Sequence, residues 1–512
     1  MVAASQPLAV TAGMDALAQG GTAVDAAVAC AAAQAVVEPM STGLGGDSFA
    51  LLGHADADGI TGFNGSGAAP SGRTIEALRG LGHTTVPERS PLAVTVPGTV
   101  DAYAQLVDRH GRLGFAAALE PARRYADEGF VVSPIVAAGW QRLEPVLRAG
   151  GPSGAELLPG GRAPRAGEVV RLPELARTLA TLQNEGPRAM YEGPLAVAMT
   201  PPLDAVSLGA HRGEWTEPIH LPYRGVVVVE HAPNGQGLAA LLALASLSAF
   251  DLAAHDPLDP ALLHLQIEAM KGGVLDAAAH VADPRHAEVP VAALLARPRP
   301  IDPQRASDIA PGSLTTGTDT VYVAAADGEG LGCSLISSLY LGFGTGIVAP
   351  GTGVALQCRG AGFSLDPEHP NALAPGKRPF HTIIPGMLCD PVERPTANGP
   401  PVGRWRTVFG VMGGPMQPQG HVQVVCAMVD HGLDPQEALD LPRWYVHPDG
   451  AVDVEREMPE ASVEGLRRLG HRVHVGDTDH GYGGGQIITR DPGSGALVAG
   501  SDPRKDGQAA AR

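Results

Sequence analysis

The sequence predicts an α+β protein with a large core, and three observations carry that reading. Apolar residues make up 44% of the 512 residues and charged residues only 18%, which supplies a core and excludes general disorder. Helix-like segments separated by glycine turns fill most of the first half. Past residue 319 the pattern changes to short β segments.

The elements follow in chain order. Asp25 to Glu38 is a helix on its alanine content and stops before Pro39. Ser41 to Gly53 (STGLGGDSFALLG) is a glycine turn feeding a strand. Helices are expected near Pro97 to His110, over Glu120 to Glu128 with a stop at Gly129, and over Leu172 to Asn184. Arg224 to Glu230 is a short buried strand, and PNGQG turns it into a helix from Leu238 to Ala254. Leu262 to Ala279 is helical. Residues 283–317, rich in Pro, Arg and Asp, read as a surface linker. Then Thr320 to Ala326 and Leu331 to Leu341 form a hairpin across DGEG. Strands recur at Gly353 to Gln357, Thr407 to Val411 and Ala451 to Val454. A helix spans Gln419 to His431, ahead of Gly432 and Pro435. The polar end, Asp502 to Arg512, is expected to be disordered. The main boundary falls near residue 319.

Composition removes several function classes. A net charge of −18 and 4% aromatics leave neither a basic footprint nor a stacking platform for nucleic acid. Five widely spaced cysteines without a CxxC argue for buried free thiols rather than a disulfide framework or a structural zinc site. No secretory signal precedes the first helix pattern, and the most apolar stretch is interrupted by Ser246, Ser248 and Asp251. The expectation is a cytoplasmic protein with no membrane partner. STGLGGD is not GxGxxG, no Walker lysine occurs, and no HExxH pattern exists. Neither a nucleotide, a catalytic metal nor any other cofactor is expected.

The hairpin holds the chemistry. With a four-residue loop, Ala326 pairs with Leu331 and Thr320 falls opposite Ser337; one bulge moves its partner to Ser338. Taken alone this is an ordinary hairpin carrying hydroxyls. Its context is not ordinary. TVYVAAADGEG, SLYLGFGTGIVAPGTGVAL, PGKRPFHTIIPGM and FGVMGG, with the earlier VVEPMSTGLGGDSFALL, AVTVPGTVDAY and PARRYADEGF, resemble the gamma-glutamyltransferase family in the family's own order, over nearly the whole chain.

That resemblance implies an N-terminal-nucleophile (Ntn) hydrolase, with the four-layer αββα sandwich of that class. It implies self-cleavage between Asp319 and Thr320, giving segments 1–319 and 320–512 that stay associated as one globular unit. A homodimer is left open. Thr320 becomes the nucleophile, and its freed α-amine, with a reference pKa of about 7.7–8.0, serves as the nearby base a threonine hydroxyl needs. Thr315, Thr316 and Thr318 precede the β pattern and do not match the family's spacing. Ser338 matches the hydroxyl that supports the nucleophile. Gly413 and Gly414 match the pair whose N–H groups form the oxyanion hole.

The resemblance breaks at substrate recognition. Ser66 stands where the family carries an Arg for the substrate's α-carboxylate, and Gly362 where it carries an Asp for the α-amine. Tyr340 replaces an Asn, Arg359 a Gln, and His381 with Thr382 a Ser-Ser pair. Ser66, Tyr340, Arg359, His381 and Thr382 are therefore the expected substrate contacts. The substrate is a small-molecule amide. Three readings stand: a glutathione hydrolase or gamma-glutamyltransferase with altered contacts; an amidase for another small acid amide, oxamate- or acylase-like, anchored by Arg359; and a non-catalytic metabolite-binding descendant. Retention of Thr320, Ser338, Gly413 and Gly414 argues against the third.

Overall fold

The computed structural model describes residues 1–312, 319–392, 402–476 and 481–512. Two antiparallel sheets face each other. The first runs, edge to edge, through Gln508–Ala510, Val2–Ala4, Asp319–Ala326, Leu331–Tyr340, Asp47–His54, Ala57–Asn64 and Glu214–Thr216. The second runs through Leu497–Ser501, Gly484–Arg490, Trp405–Met412, Gly386–Cys389, Val226–Glu230 and Ile219–Tyr223.

Strand alternation sorts the side chains into layers. Tyr322, Ala324 and Ile336 point between the sheets, where they meet Phe49, Val229, Met387 and Val408. Their neighbours Val323, Ala325, Cys333 and Leu335 point outward, onto the helices Pro7–Ala18, Ala23–Val37 and Phe115–Glu128. On the far side Phe409 and Val411 meet Gly237–Leu247, Pro260–His280 and Met416–Val429. Helix, sheet, sheet, helix is the expected αββα sandwich. The sheets can close only where one side is bare: a Cβ at Gly410 would lie 2.5 Å from the Tyr322 ring.

Ala23–Val37 is buried along its whole length. Its alanines let the sheet and two helices approach together, and Thr22 and Asp25 close a capping box at its start. All five cysteines are free and buried.

Several expectations need correction. In the hairpin Ala326 pairs with Gly332, and the register shifts between Ser337 and Tyr340. The one-residue offset from the four-residue loop arises at the loop itself, and the register it sets, with Ser337 opposite Val321, puts Thr320 opposite Ser338. The helix expected over Glu120 to Glu128 begins at Phe115 and carries Pro121 inside it. The helix expected to reach Ala254 ends at Leu247, where the Ser246 and Ser248 hydroxyls bond back to Leu242 O and Leu244 O. The chain end is ordered: Asp502 is buried against Arg443, and Gln508–Ala510 pairs with Val2–Ala4. The linker contains a short helix, Val291–Leu295, and Asp302 O accepts from His264. Thr315, Thr316 and Thr318 lie outside the described residues.

Candidate active site

Thr320 is the second residue of the strand Asp319–Ala326 and is 4% exposed. Its hydroxyl donates to Ser338 Oγ at 3.3 Å. Ser338 Oγ in turn donates to the Asp319 carbonyl at 2.7 Å and accepts from Tyr340 N at 2.8 Å. The register of the hairpin shifts at this point, between Ser337 and Tyr340. Tyr340 and Phe343 accordingly hold φ of +82° and +55°, values that side-chain-bearing residues seldom adopt.

Across the gap, Trp405–Met412 ends in Gly413 and Gly414, at φ +120° and +58°. These angles need glycine. Neither N–H makes a hydrogen bond among the described residues, while both carbonyls are occupied, by Met416 N and by Gln417 N. Gln417, one turn into the following helix, donates from Nε2 to Thr320 Oγ1 at 3.4 Å and accepts Ile384 N at 3.0 Å. Sequence reasoning did not single out Gln417. Its signal was the helix position immediately after the glycine pair. Thr320, Gly413, Ser41, Asp319 and Tyr482 line one cavity of ≈ 270 Å³.

None of the five expected substrate contacts lines this cavity. Arg359 is fully buried. Its Nη1 donates to Thr382 Oγ1 at 2.6 Å, and its guanidinium lies 4.7 Å from the centre of the Tyr340 ring. Nε and Nη2 have no partner. No carboxylate lies within ion-pair distance of it among the described residues. Burial lowers its pKa to about 10, against the pull of the Asp47 carboxylate. Thr382 O accepts from Gln236 Nε2 at 2.6 Å, and the same amide reaches Gly414 O at 3.0 Å. One glutamine thus ties the arginine's shelf to the glycine pair.

Asp47 organises the wall. Its Oδ1 accepts Gly67 N, Gly98 N and Gln357 Nε2 at 2.9–3.0 Å, and its Oδ2 meets His381 Nε2 at 3.1 Å. Burial nevertheless raises its pKa, with Arg359 opposing. His381 is held well below its usual value, by burial first and by Arg359 next. It is therefore neutral, with Nε2–H toward Asp47 and Nδ1 accepting Ile383 N. Both of its nitrogens are engaged within the protein. Ser66 Oγ accepts from Asn234 Nδ2 at 3.1 Å. The sequence reads the segment around Asp47 as a glycine turn feeding a strand, which carries no signal of this hub role.

Among the described residues, no helix is long and apolar enough to cross a membrane. The sequence profile of the family described as gamma-glutamyltranspeptidase matches residues 9–512. The chain is 36% identical to the glutathione hydrolase-like YwrD proenzyme of Bacillus subtilis, covering 99% of this chain and 98% of that one. It is 37% identical to the oxamate amidohydrolase proenzyme of Klebsiella pneumoniae, covering 100% and 98%. Among solved structures, the cephalosporin acylase from Bacillus halodurans superposes with a TM-score of 0.87 at 42% identity, covering 99% of this chain and 94% of that chain. An αββα sandwich with Thr320 beside Ser338 near the start of a strand, matched over nearly its whole length by this profile and these relatives, establishes that the chain belongs to the gamma-glutamyltranspeptidase family of amide-hydrolysing Ntn enzymes.

Proposed function

We propose that the protein cuts itself before Thr320 and then hydrolyses, through a threonyl ester, the amide of a small acid whose carboxylate is held by Arg359. The observation that carries the substrate class is the buried, unpaired guanidinium. Two of its donors lack partners, and an uncompensated buried cation is costly unless an anion completes it. An incoming carboxylate accepts from both donors at once.

In maturation, the Thr320 hydroxyl oxygen attacks the Asp319 carbonyl carbon. Ser338 Oγ, already donating to that carbonyl oxygen, stabilises the charge that develops there. The C–N bond breaks, the ester forms, and water hydrolyses it to leave the Asp319 carboxylate and a free α-amine on Thr320. In turnover, that amine takes the Thr320 proton as the hydroxyl attacks the substrate carbonyl. Gly413 and Gly414 offer their N–H groups to the oxyanion. The amine leaves with the proton, and water, deprotonated by the same α-amine, releases the acid. Gln417 fixes the nucleophile's rotamer. His381 and Asp47 act as struts that position the Arg359 wall.

A γ-glutamyl donor brings an ammonium as well as a carboxylate. The carboxylate nearest Arg359 is Asp47, and its oxygens are already taken by four donors. An acid amide without that ammonium therefore fits better, as in the oxamate-cleaving relative. The test is a kcat/KM comparison of the self-cleaved protein on oxamate, glutathione and γ-glutamyl 4-nitroanilide. Oxamate should lead by at least tenfold. Equal or better turnover of the γ-glutamyl compounds would overturn the assignment.

A further inference from the structure

The buried pair of His421 and Glu230 is not used by the chemistry above. Both side chains are fully buried, and His421 Nδ1 lies 2.6 Å from Glu230 Oε1. The other ring nitrogen, Nε2, accepts from Val411 N at 3.2 Å. A nitrogen that accepts carries no proton, so the ring is neutral and donates its single proton from Nδ1 to Glu230. Burial raises the Glu230 pKa, with His421 opposing.

The sheet explains why Val411 needs this partner. Gly386–Cys389 flanks Trp405–Met412 only as far as the pair Gly386 and Phe409. Continuing that register would set Val411 opposite Ile384, yet neither N–H enters a ladder. Val411 N goes to His421, and Ile384 N goes to Gln417 Oε1 at 3.0 Å. Gln417 and His421 stand one turn apart on the helix Met416–Val429, so they share a face. That face wedges between the two strand ends and takes over the bonds the strands would have made. Gly420 permits the approach, since a Cβ there would lie 2.5 Å from Val411 Cγ1. The Phe409 ring, 4.9 Å from the imidazole, covers it. Glu230 ends the strand Val226–Glu230 and packs on Gly237, where a Cβ would lie 2.7 Å from its own.

The wedge brackets the turn that carries Gly413 and Gly414. Val411 precedes the pair and Met416 follows it. Glycines at positive φ have no side chains to hold them, so the direction of their N–H groups depends on where the flanking strand and helix are pinned. We infer that His421, locked into one tautomer by Glu230, is a positioning residue for turnover: it pins helix to strand and thereby aims the Gly413 and Gly414 N–H groups. The inference rests on the reading above that this pair binds the oxyanion. Without Glu230 the imidazole is free to take its other tautomer, which would turn an N–H toward the Val411 N–H. The competing role is stability alone, with the pair merely satisfying a buried N–H that has no strand partner.

The test uses the full chain, assayed after self-cleavage on the faster of oxamate and glutathione. The proposed maturation step does not use the glycine pair, so His421→Leu should self-cleave fully. It should then lose kcat by roughly ten- to a hundredfold at unchanged KM. His421→Gln, whose amide can accept from Val411 N and donate to Glu230, should recover most of the loss. Glu230→Leu, which frees the tautomer, should reproduce it and serves if His421→Leu does not fold. Added to Gly414→Val, either leucine variant should cost no more than about twofold further, because both changes act on one donor pair. Losses that multiply, or a lowered melting temperature with kcat and KM unmoved, would overturn the inference and leave the pair a stabiliser of the sheet. Full kcat in Gly414→Val alone would instead overturn the oxyanion reading, and this inference with it.

Discussion

Replacing Arg359 with Met separates a substrate anchor from a structural cation, because the two roles move stability and KM in opposite senses. In the free protein the guanidinium gains one hydrogen bond to Thr382 and one aromatic face from Tyr340. Together these are worth about 2–5 kcal/mol. Against them stands the desolvation of a fully buried charge, several kcal/mol per ion. Methionine fills a similar volume without that penalty. The free Arg359→Met enzyme should therefore unfold at the same temperature or higher. With substrate bound, the variant loses the contacts that Nε and Nη2 would make. Charge-assisted hydrogen bonds contribute about 1.5–3 kcal/mol each, so the pair is worth about 3–6 kcal/mol. At about 1.4 kcal/mol per decade this raises KM by roughly 10²–10⁴-fold. kcat should change far less, since the contact is the same in ground and transition states. Ammonia release from oxamate gives KM, and calorimetry of the free enzyme gives the midpoint. A lower midpoint with an unmoved KM would refute the reasoning and make Arg359 part of the scaffold.

Four further outcomes are expected. A denaturing gel of the purified protein should show fragments of about 33 and 20 kDa, shared by residue number from 52.4 kDa, with Thr320 at the N-terminus of the smaller; Thr320→Ala should remain one chain, lacking the attacking hydroxyl. Gly414→Val, at φ +58°, should still self-cleave yet lose roughly a hundredfold or more in kcat, as expected for loss of one oxyanion donor; full activity would remove the glycine pair from the mechanism. Gln417→Leu forfeits one neutral contact to Thr320 and should slow kcat about 2–10-fold, with a KM change in its place counting against a role at the nucleophile. Burial lowers His211 and His231 to about 4 and His471 to about 3, so the unfolded chain binds more protons than the folded one between about pH 6.5 and 4. Stability should be full above that window and fall through it by up to about 4 kcal/mol per pH unit for the three together, offset in part by the raised carboxylates Glu38, Asp47 and Glu230; a urea midpoint equal at pH 7 and pH 5 would contradict this.

What was legible in the sequence was whatever a local period could encode. Strand alternation placed Thr320 and Ser338 in one hairpin, and the glycine pair stood at the end of a strand. The offset that makes Ser338 rather than Ser337 the partner was open, because DGEG fits more than one loop closure; Ala326 pairs with Gly332 rather than Leu331. The chain end read as a tail because its polarity gave no hint that Asp502 would meet Arg443, 59 residues away. Asp47 was illegible for the same reason. Its partners come from Gly67, Gly98, Gln357 and His381, the last 334 positions distant. Arg359 was visible as an oddity against the family pattern. That it makes no ion pair among the described residues emerges only once the side chains around it are assembled.

The fold explains how a cut at Asp319–Thr320 would create an amine without loosening the site. The strand Asp319–Ala326 lies between Val2–Ala4 from the large segment and Leu331–Tyr340 from the small one. Leu331–Tyr340 is paired on its other side with Asp47–His54, again from the large segment, through eight consecutive residues. In the second sheet Val226–Glu230 and Gly386–Cys389 repeat the mixture. Both segments thus contribute strands to both sheets and side chains to the core between them. Breaking the peptide bond between the strand's first two residues leaves the ladder from Val321 onward intact, and separating the segments would require unpairing both sheets at once. The proposed cut would therefore place the new α-amine on a residue whose backbone is already fixed from Val321 onward by Ser337 and its neighbours. Its position relative to the Thr320 hydroxyl would be set by the sheet, and in the proposed mechanism that rigidity would let one residue serve as both nucleophile and base.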